Sequence, residues 1–198
     1  MRSFVTKLSV VLSIICFGIS LASGQKHSSG TYAFSSFDYP SAASTTPRGI
    51  NNSGEIVGYH INPGGGSFLY RFGTFSTIAY PGSAGTAASG INDHGEIVGN
   101  ASILGGNAFG FPLEGEEYTQ IGLSAWLAST ADGINNRGEI VGSYFSSLFE
   151  EHGYIHRHET FETIDCPGAM ATVALGINDA GRGGRNLLIY ESDDGIYV

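Results

Sequence analysis

Polar and apolar positions along this chain fall into blocks that return in the same order. The stretch Thr74-Phe75-Ser76-Thr77-Ile78 alternates polar and apolar residues, the two-residue period of a strand with one covered face. Thr86–Ile91 is a second strand built from small residues. Asn92-Asp93-His94-Gly95 then reads as a tight turn, because Asn and Asp bond their own backbone and Gly accepts a positive φ. Glu96-Ile97-Val98-Gly99 sets two aliphatic residues side by side. Neighbouring side chains of a strand face opposite ways, so both faces of this third strand must be covered. A fourth strand carries the aromatic pair Phe109 and Phe111. The pattern predicts a four-stranded meander.

The same blocks occur four times. GINNSGEIVG starts at Gly49, GINDHGEIVG at Gly90 and GINNRGEIVG at Gly133; GINDAG starts at Gly176 and departs into Arg182, Gly183, Gly184 and Arg185. Those starts are 41, 43 and 43 residues apart. Flanking features keep step: Phe37–Pro40, Ile78–Pro81, Ile121–Leu123 and Ile164–Pro167 upstream, then a hydroxyl at Thr45, Thr86, Ser129 and Thr172. Downstream come Ser67–Tyr70, Ala108–Phe111, Gly153–His156 and, at the matching distance, Gly195–Val198. Units of about 42 residues suit a propeller blade or similar stacked element. The expected fold is all-β: a propeller-like array of four four-stranded repeats, approximately 31–73, 74–115, 116–158 and 159–198, the last degenerate. Abundant glycine and alanine suit strands crowding toward an axis. A right-handed β-solenoid is the competing architecture, though its coils are usually shorter.

The N-terminus reads as a targeting segment. Arg2 and Lys7 lead an apolar run from Leu8 to Leu21, and Ala22-Ser23-Gly24 places small residues before a cut at Gln25. That is the form of a secretory signal peptide over 1–24, leaving 25–198 as one β-repeat domain and predicting a secreted, extracellular or periplasmic, protein. The apolar run falls short of the ~20 residues of a comfortable membrane span. Past the cut the chain keeps all 18 acidic residues but seven of nine basic ones, a net charge of −11, with Lys26 its only lysine. Such a surface repels phosphate backbones and excludes nucleic acid as a partner class. Cys166 is the one cysteine after the cut, so no intrachain disulfide is expected.

Three linked elements carry a family resemblance. The GIN-x-x-Gly-Glu-Ile-Val-Gly unit, the preceding Phe161–Ala169 (FETIDCPGA) and the following His152-Gly153-Tyr154, with Asn107-Ala108-Phe109 beside it, resemble the HAF-repeat family of probable extracellular bacterial proteins. The resemblance runs from about Thr31 to Gly181. It implies secretion and a repeat fold, and it brings no reaction, cofactor or catalytic residue with it.

Candidate chemistry is sparse. His152, His156 and His158 alternate with Tyr154 on one expected strand face, and histidines two apart on a strand can ligate zinc or copper with a carboxylate. Trp126, the only tryptophan, replaces the Pro-Gly turn of the other units; it is a candidate ligand contact, as is Tyr80, and a core filler is the plainer role. Glu55, Glu96 and Glu139 are expected along one rim. The turns supply too few carboxylates for a calcium loop. No G-x-S-x-G elbow, HExxH helix or phosphate loop is present in the sequence, so no catalytic residue and no cofactor is assigned. The sequence points to a secreted, non-enzymatic module that binds or scaffolds through rim loops, its partner an extracellular glycan or a surface protein. A metal-dependent hydrolase or lyase using the histidines is the alternative, as is a truncated copy of a longer repeat protein.

Overall fold

The computed structural model describes residues 36–61, 65–147 and 150–180, and the backbone of Leu188–Tyr190. The expected signal peptide, Lys26, Arg182–Arg185 and Gly195–Val198 lie outside the described residues. Every regular element among the described residues is a strand, arranged in four antiparallel sheets.

Sheet one comprises β1 (Ser44–Ile50), β2 (Ile56–Ile61), β3 (Gly66–Arg71) and β4 (Thr74–Ile78), paired in that order. Sheet two repeats this with β5 (Gly85–Ile91), β6 (Ile97–Ser102), β7 (Ala108–Glu114) and β8 (Glu117–Tyr118). In sheet three the first strand is broken into β9 (Ala128–Ser129) and β10 (Gly133–Ile134), followed by β11 (Ile140–Ser147), β12 (Glu150–Arg157) and β13 (Thr160–Ile164). Sheet four pairs β14 (Val173–Gly176) with β15 (Leu188–Tyr190).

The meander is the one expected from sequence, but its phase differs. The strand Thr74–Ile78 closes sheet one, pairing Phe75 with Tyr70, and does not open sheet two. A two-residue turn explains this. Phe72 and Gly73 have φ of 50° and 82°, the I′ geometry that matches strand twist and locks a local hairpin. His158 and Glu159, at 45° and 64°, repeat it in sheet three. Sheet boundaries therefore fall in the loops that follow Ile78, Tyr118 and Ile164.

Successive sheets meet through the second strand of one and the first strand of the next. Val57 packs with Ala88 and Ile91, Val98 with Ala131 and Ile140, and Val141 with Ala174. The valine of each Glu-Ile-Val-Gly thus faces forward and its isoleucine backward, which is why both faces of that strand are apolar. Burying each such side chain stabilises by about 1.5–3 kcal/mol. The glycines opening each unit make the approach possible. A Cβ on Gly49 would stand 3.1 Å from the Cα of Gly90, and one on Gly133 would stand 3.1 Å from the Cα of Gly176. The glycine that ends each unit is more constrained still: a Cβ on Gly58, Gly99 or Gly142 would lie 2.1, 2.3 or 2.2 Å from a carbonyl oxygen of the adjacent strand. Arg185 stands at that column in the fourth copy, and the hairpin there re-registers. Gly49 pairs with Val57, eight residues on, whereas Gly176 pairs with Leu188, twelve residues on.

A ladder of asparagines ties the turns together. Asn51 accepts the N–H groups of Ser53 and Glu55 on Oδ1 and donates from Nδ2 to the Glu55 carboxylate and to the carbonyl of Asn92. Asn92 does the same toward Glu96 and Asn135, and Asn135 toward Glu139 and Asn178. All four hydrogen-bonding positions of each side chain are used. A parallel chain runs outside it: Asn52 N–H to Asp93, Asp93 N–H to Asn136, and Asn136 N–H to Asp179, each at 2.7–2.8 Å. Those Asn52 and Asn136 bonds hold the exposed Asp93 carboxyl below its usual range. Substituting Asn92→Asp removes both donors and sets a second carboxylate against Glu96. An unsatisfied buried group plus that repulsion costs about 3 kcal/mol, so calorimetry should show a melting point lower by roughly 6–12 °C, while Asn107→Asp on an exposed loop leaves it within about 2 °C.

Candidate functional site at the loop rim

Because each sheet runs up and down, its connections divide between two rims. The GIN turns and the I′ turns occupy one. The other carries the β2–β3, β6–β7 and β11–β12 hairpin ends and the loops between sheets. Three of those loops begin with a built turn. Tyr39-Pro40-Ser41, Tyr80-Pro81-Gly82 and Cys166-Pro167-Gly168 place proline second and a positive φ of 62°, 75° or 88° third, as a type II turn requires. Each is closed by an N–H to the first carbonyl at 3.0–3.1 Å. In the loop before sheet three, Trp126 N–H bonds Leu123 O at 2.9 Å, closing a four-residue turn at the same place without proline and without a positive φ at Ala125. The recurring hydroxyl fastens the loops from below. Thr45, Thr86 and Thr172 accept the N–H of Tyr39, Tyr80 and Cys166 at 2.9, 2.9 and 3.1 Å. Ser129 instead bridges Gly110 N–H and the Ile121 carbonyl.

Above these anchors the rim is apolar. Of nine exposed large hydrophobic residues among those described, six belong to it: Ile61, Ile103, Leu104, Leu123, Leu127 and Met170. Leu104 is 88% exposed and Met170 75%. A cavity of about 240 Å³ opens between sheets two and three, walled by Ile103, Asn107, Phe109, Gln120, Leu123 and Trp126. A second, of about 570 Å³, lies beside the last loop and is lined by Glu150, His152, Asp165, Cys166 and Met170. Carboxylates join the apolar side chains of this rim at its last loop.

Trp126 and Tyr80 serve packing. Trp126 stacks on Tyr144 at 4.1 Å and 8° and meets Phe161 edge-on at 4.8 Å. Tyr80 stands against Phe109, Phe111 and Tyr118 at 5.0–5.7 Å. Each aromatic residue plugs the outer strands of the sheet that follows it, as Tyr39 does against Phe68 and Phe75. One face of the indole is therefore occupied, and Trp126 contributes to the rim as a cavity wall.

The histidine metal site expected from alternation requires correction. His152 and His156 share a face of β12, but four residues of strand separate them by about 13 Å, with the fully buried Tyr154 between. His158 sits in the I′ turn at the opposite rim. Among the described residues no three His, Cys, Asp or Glu side chains converge as metal ligands. Burial lowers the His156 pKa, an effect its neighbour Glu159 opposes, and its ring lies 4.5 Å from Phe161. The glutamates expected to charge a rim are also employed inside the fold. Glu55 pairs with Arg71 at 2.5 Å and Glu139 with Arg157 at 3.0 Å, and each bonds its own turn asparagine.

One arrangement escaped the sequence reading. His152 Nε2 lies 3.1 Å from Ser146 Oγ, and its Nδ1 lies 3.0 and 3.1 Å from the two oxygens of Asp165. The order matches a serine–histidine–aspartate relay. The surroundings oppose acyl transfer: Ser146 Oγ also donates to Glu150 at 3.1 Å, so an oxyanion forming there would meet a carboxylate instead of donors. A thirteen-residue offset between His152 and Asp165 across a short hairpin was the only available signal. A fluorophosphonate probe should leave Ser146 unlabelled in intact-mass spectra; stoichiometric labelling lost in Ser146→Ala would reverse that assignment.

A second polar cluster lines the inner strand of sheet three. Thr130 Oγ1 donates to Asp132 at 2.5 Å and Asn100 Oδ1 accepts the Ala131 N–H at 2.8 Å. Burial raises the Asp132 pKa above its ordinary 3.8, outweighing the Thr130 and Asn100 bonds and the Arg48 charge. The folded chain therefore holds this proton more tightly than the unfolded chain. Stability is full below the ordinary carboxylate value and is lost as pH rises through the raised one. Asp132→Asn should flatten that loss, giving a higher melting point than the parent at neutral pH and none of the advantage at about pH 3.5. No protein-family model, curated protein or solved structure matches the chain.

Proposed function

We propose that this chain is a secreted, non-enzymatic β-repeat module, propeller-like in arrangement, that binds a protein partner through its loop rim. The observation carrying the reading is the segregation of exposed apolar side chains. Six of nine stand on one rim, while the opposite rim spends its polar groups on the asparagine ladder. An apolar rim with Glu150 and Asp165 at its last loop suits a partner surface with apolar knobs and a basic border. A sugar would need an open aromatic face, and Tyr144 covers one face of Trp126. The signal-peptide pattern and the likeness to HAF repeats support an extracellular setting. The inner strands crowd together and all four GIN turns line one depression of about 250 Å³, which favours blades around an axis over a straight solenoid. The paired β14 and β15 favour a folded fourth unit over a decayed remnant.

The test sets the wild-type chain and a Leu104→Glu/Leu127→Glu variant on extracellular-protein and glycan arrays. Wild-type binding to one or more protein spots, weakened at least about tenfold in the variant, is the expected result. Signals confined to glycans, no signal at all, or equal signals from both chains would overturn the reading. Both side chains are exposed, so the variant should melt within about 2 °C of the parent.

A further inference from the structure

The joints between sheets repeat in backbone but differ in charge. Arg71, Glu114 and Arg157 share one column: each precedes a two-residue turn and pairs across it with Thr74, Glu117 and Thr160. The third residue of the facing asparagine turn varies as well, being His94 on sheet two, Arg137 on sheet three and Ala180 on sheet four. By these columns Glu114 goes with Arg137 at the second joint and Arg157 with Ala180 at the third. The joint between sheets one and two combines two basic groups, Arg71 and His94, on the wall of one cavity.

That cavity measures about 570 Å³. Ile78, Ile97 and Leu113 are buried in its walls, with Leu69 and Tyr118 half-buried beside them. Its polar end is the Arg71 guanidinium. Glu55 takes the Nε side at 2.5 Å, and a Cβ on Gly95 would stand 3.5 Å from Nη2. Sheet three shows what else such a guanidinium holds: Arg157 carries Glu139 on Nε at 3.0 Å and Glu162 on Nη1 at 3.4 Å. In sheet one the column of Glu162 is filled by Ser76, since Glu162 pairs with Ile155 as Ser76 pairs with Leu69. The Ser76 hydroxyl donates to the Leu69 carbonyl at 3.3 Å. Among the described residues no second carboxylate stands within 4 Å of the Arg71 guanidinium.

We propose that this cavity binds a small monocarboxylate with an aromatic or branched aliphatic body, its carboxylate on the Nη side of Arg71 where sheet three places Glu162 on Arg157. A guanidinium matches a carboxylate in both charge and geometry, and the His94 imidazole carries an N–H donor in either tautomer. The apolar body lies against Leu69, Ile97 and Leu113. Apolar walls with a few convergent polar groups, at this volume, are the usual make-up of a small-ligand pocket. Glu116 also lines the cavity, and its charge sets the site against dianions such as phosphate esters. The cavity lies beside an asparagine turn, at the rim opposite the loops, so the inference stands or falls independently of the loop rim.

Titrating the full chain with cinnamate, followed by amide NMR and by calorimetry, tests the site. Saturable binding with a Kd of about 1 mM or tighter is expected, with the largest shifts at the Gly95 and Leu113 amides. Cinnamamide, uncharged and of the same shape, and phenyl phosphate, a dianion at pH above about 7, should each bind at least about tenfold more weakly. Ser76→Glu gives sheet one the carboxylate that sheet three already carries. Ser76 is exposed, so the variant should melt within about 2 °C of the parent, yet lose at least about tenfold in cinnamate affinity. No saturation below about 10 mM overturns the proposal. So does cinnamamide or phenyl phosphate binding as tightly as cinnamate, or a folded Ser76→Glu variant of unchanged affinity.

Discussion

A buried asparagine side chain that must fill four hydrogen-bonding positions governs this molecule. Asn51, Asn92 and Asn135 each satisfy two backbone donors, one carboxylate and one carbonyl of the neighbouring unit. No other residue type supplies two donors and two acceptors from one planar group of that length. The turn, the buried glutamate and the spacing between sheets all follow from it. Once the carboxamide is committed, the next unit's carbonyl must lie about 3 Å away, and only glycine one turn earlier lets the strands come that close. The valine and isoleucine then have fixed places to fill. Polar satisfaction sets the geometry and hydrophobic burial supplies most of the stabilisation.

Much of this is legible in the sequence. Adjacent Ile97 and Val98 announced a strand covered on both faces, and both are buried. Asn92-Asp93-His94-Gly95 announced a turn in which asparagine bonds its own backbone, and Gly95 takes a φ of 81°. The phase of the sheets was not legible, because Phe72-Gly73 lacks the Asn-Gly signature of an I′ turn and passes for ordinary loop. The inter-unit half of the ladder was equally hidden. Sequence repetition shows that Asn51 and Asn92 are alike but not that one donates to the other.

The site was read less well, for a different reason. Alternation along β12 correctly gave His152 and His156 a common face, but the rise of a strand separates ligands that a helix would bring together. Trp126 looks available because its loop departs from the Pro-Gly pattern; a turn of another type closes at the same place, and the indole drops onto Tyr144. What marks the loop rim is the exposure of Leu104, Leu127 and Met170. Isolated apolar residues in variable loops resemble noise until topology gathers them at one end.

The hydroxyl that fastens each rim loop has a consequence for how such a protein changes over time. Thr45, Thr86 and Thr172 clamp the entry of the loop, and the first strand clamps its exit. Between the two clamps lie a handful of residues on which nothing else in the sheet depends. Those residues form interchangeable cassettes on a fixed frame, three among the described residues and all facing one way. Drift or deliberate grafting there rewrites the surface without disturbing the scaffold, much as antibody loops vary over a constant sandwich.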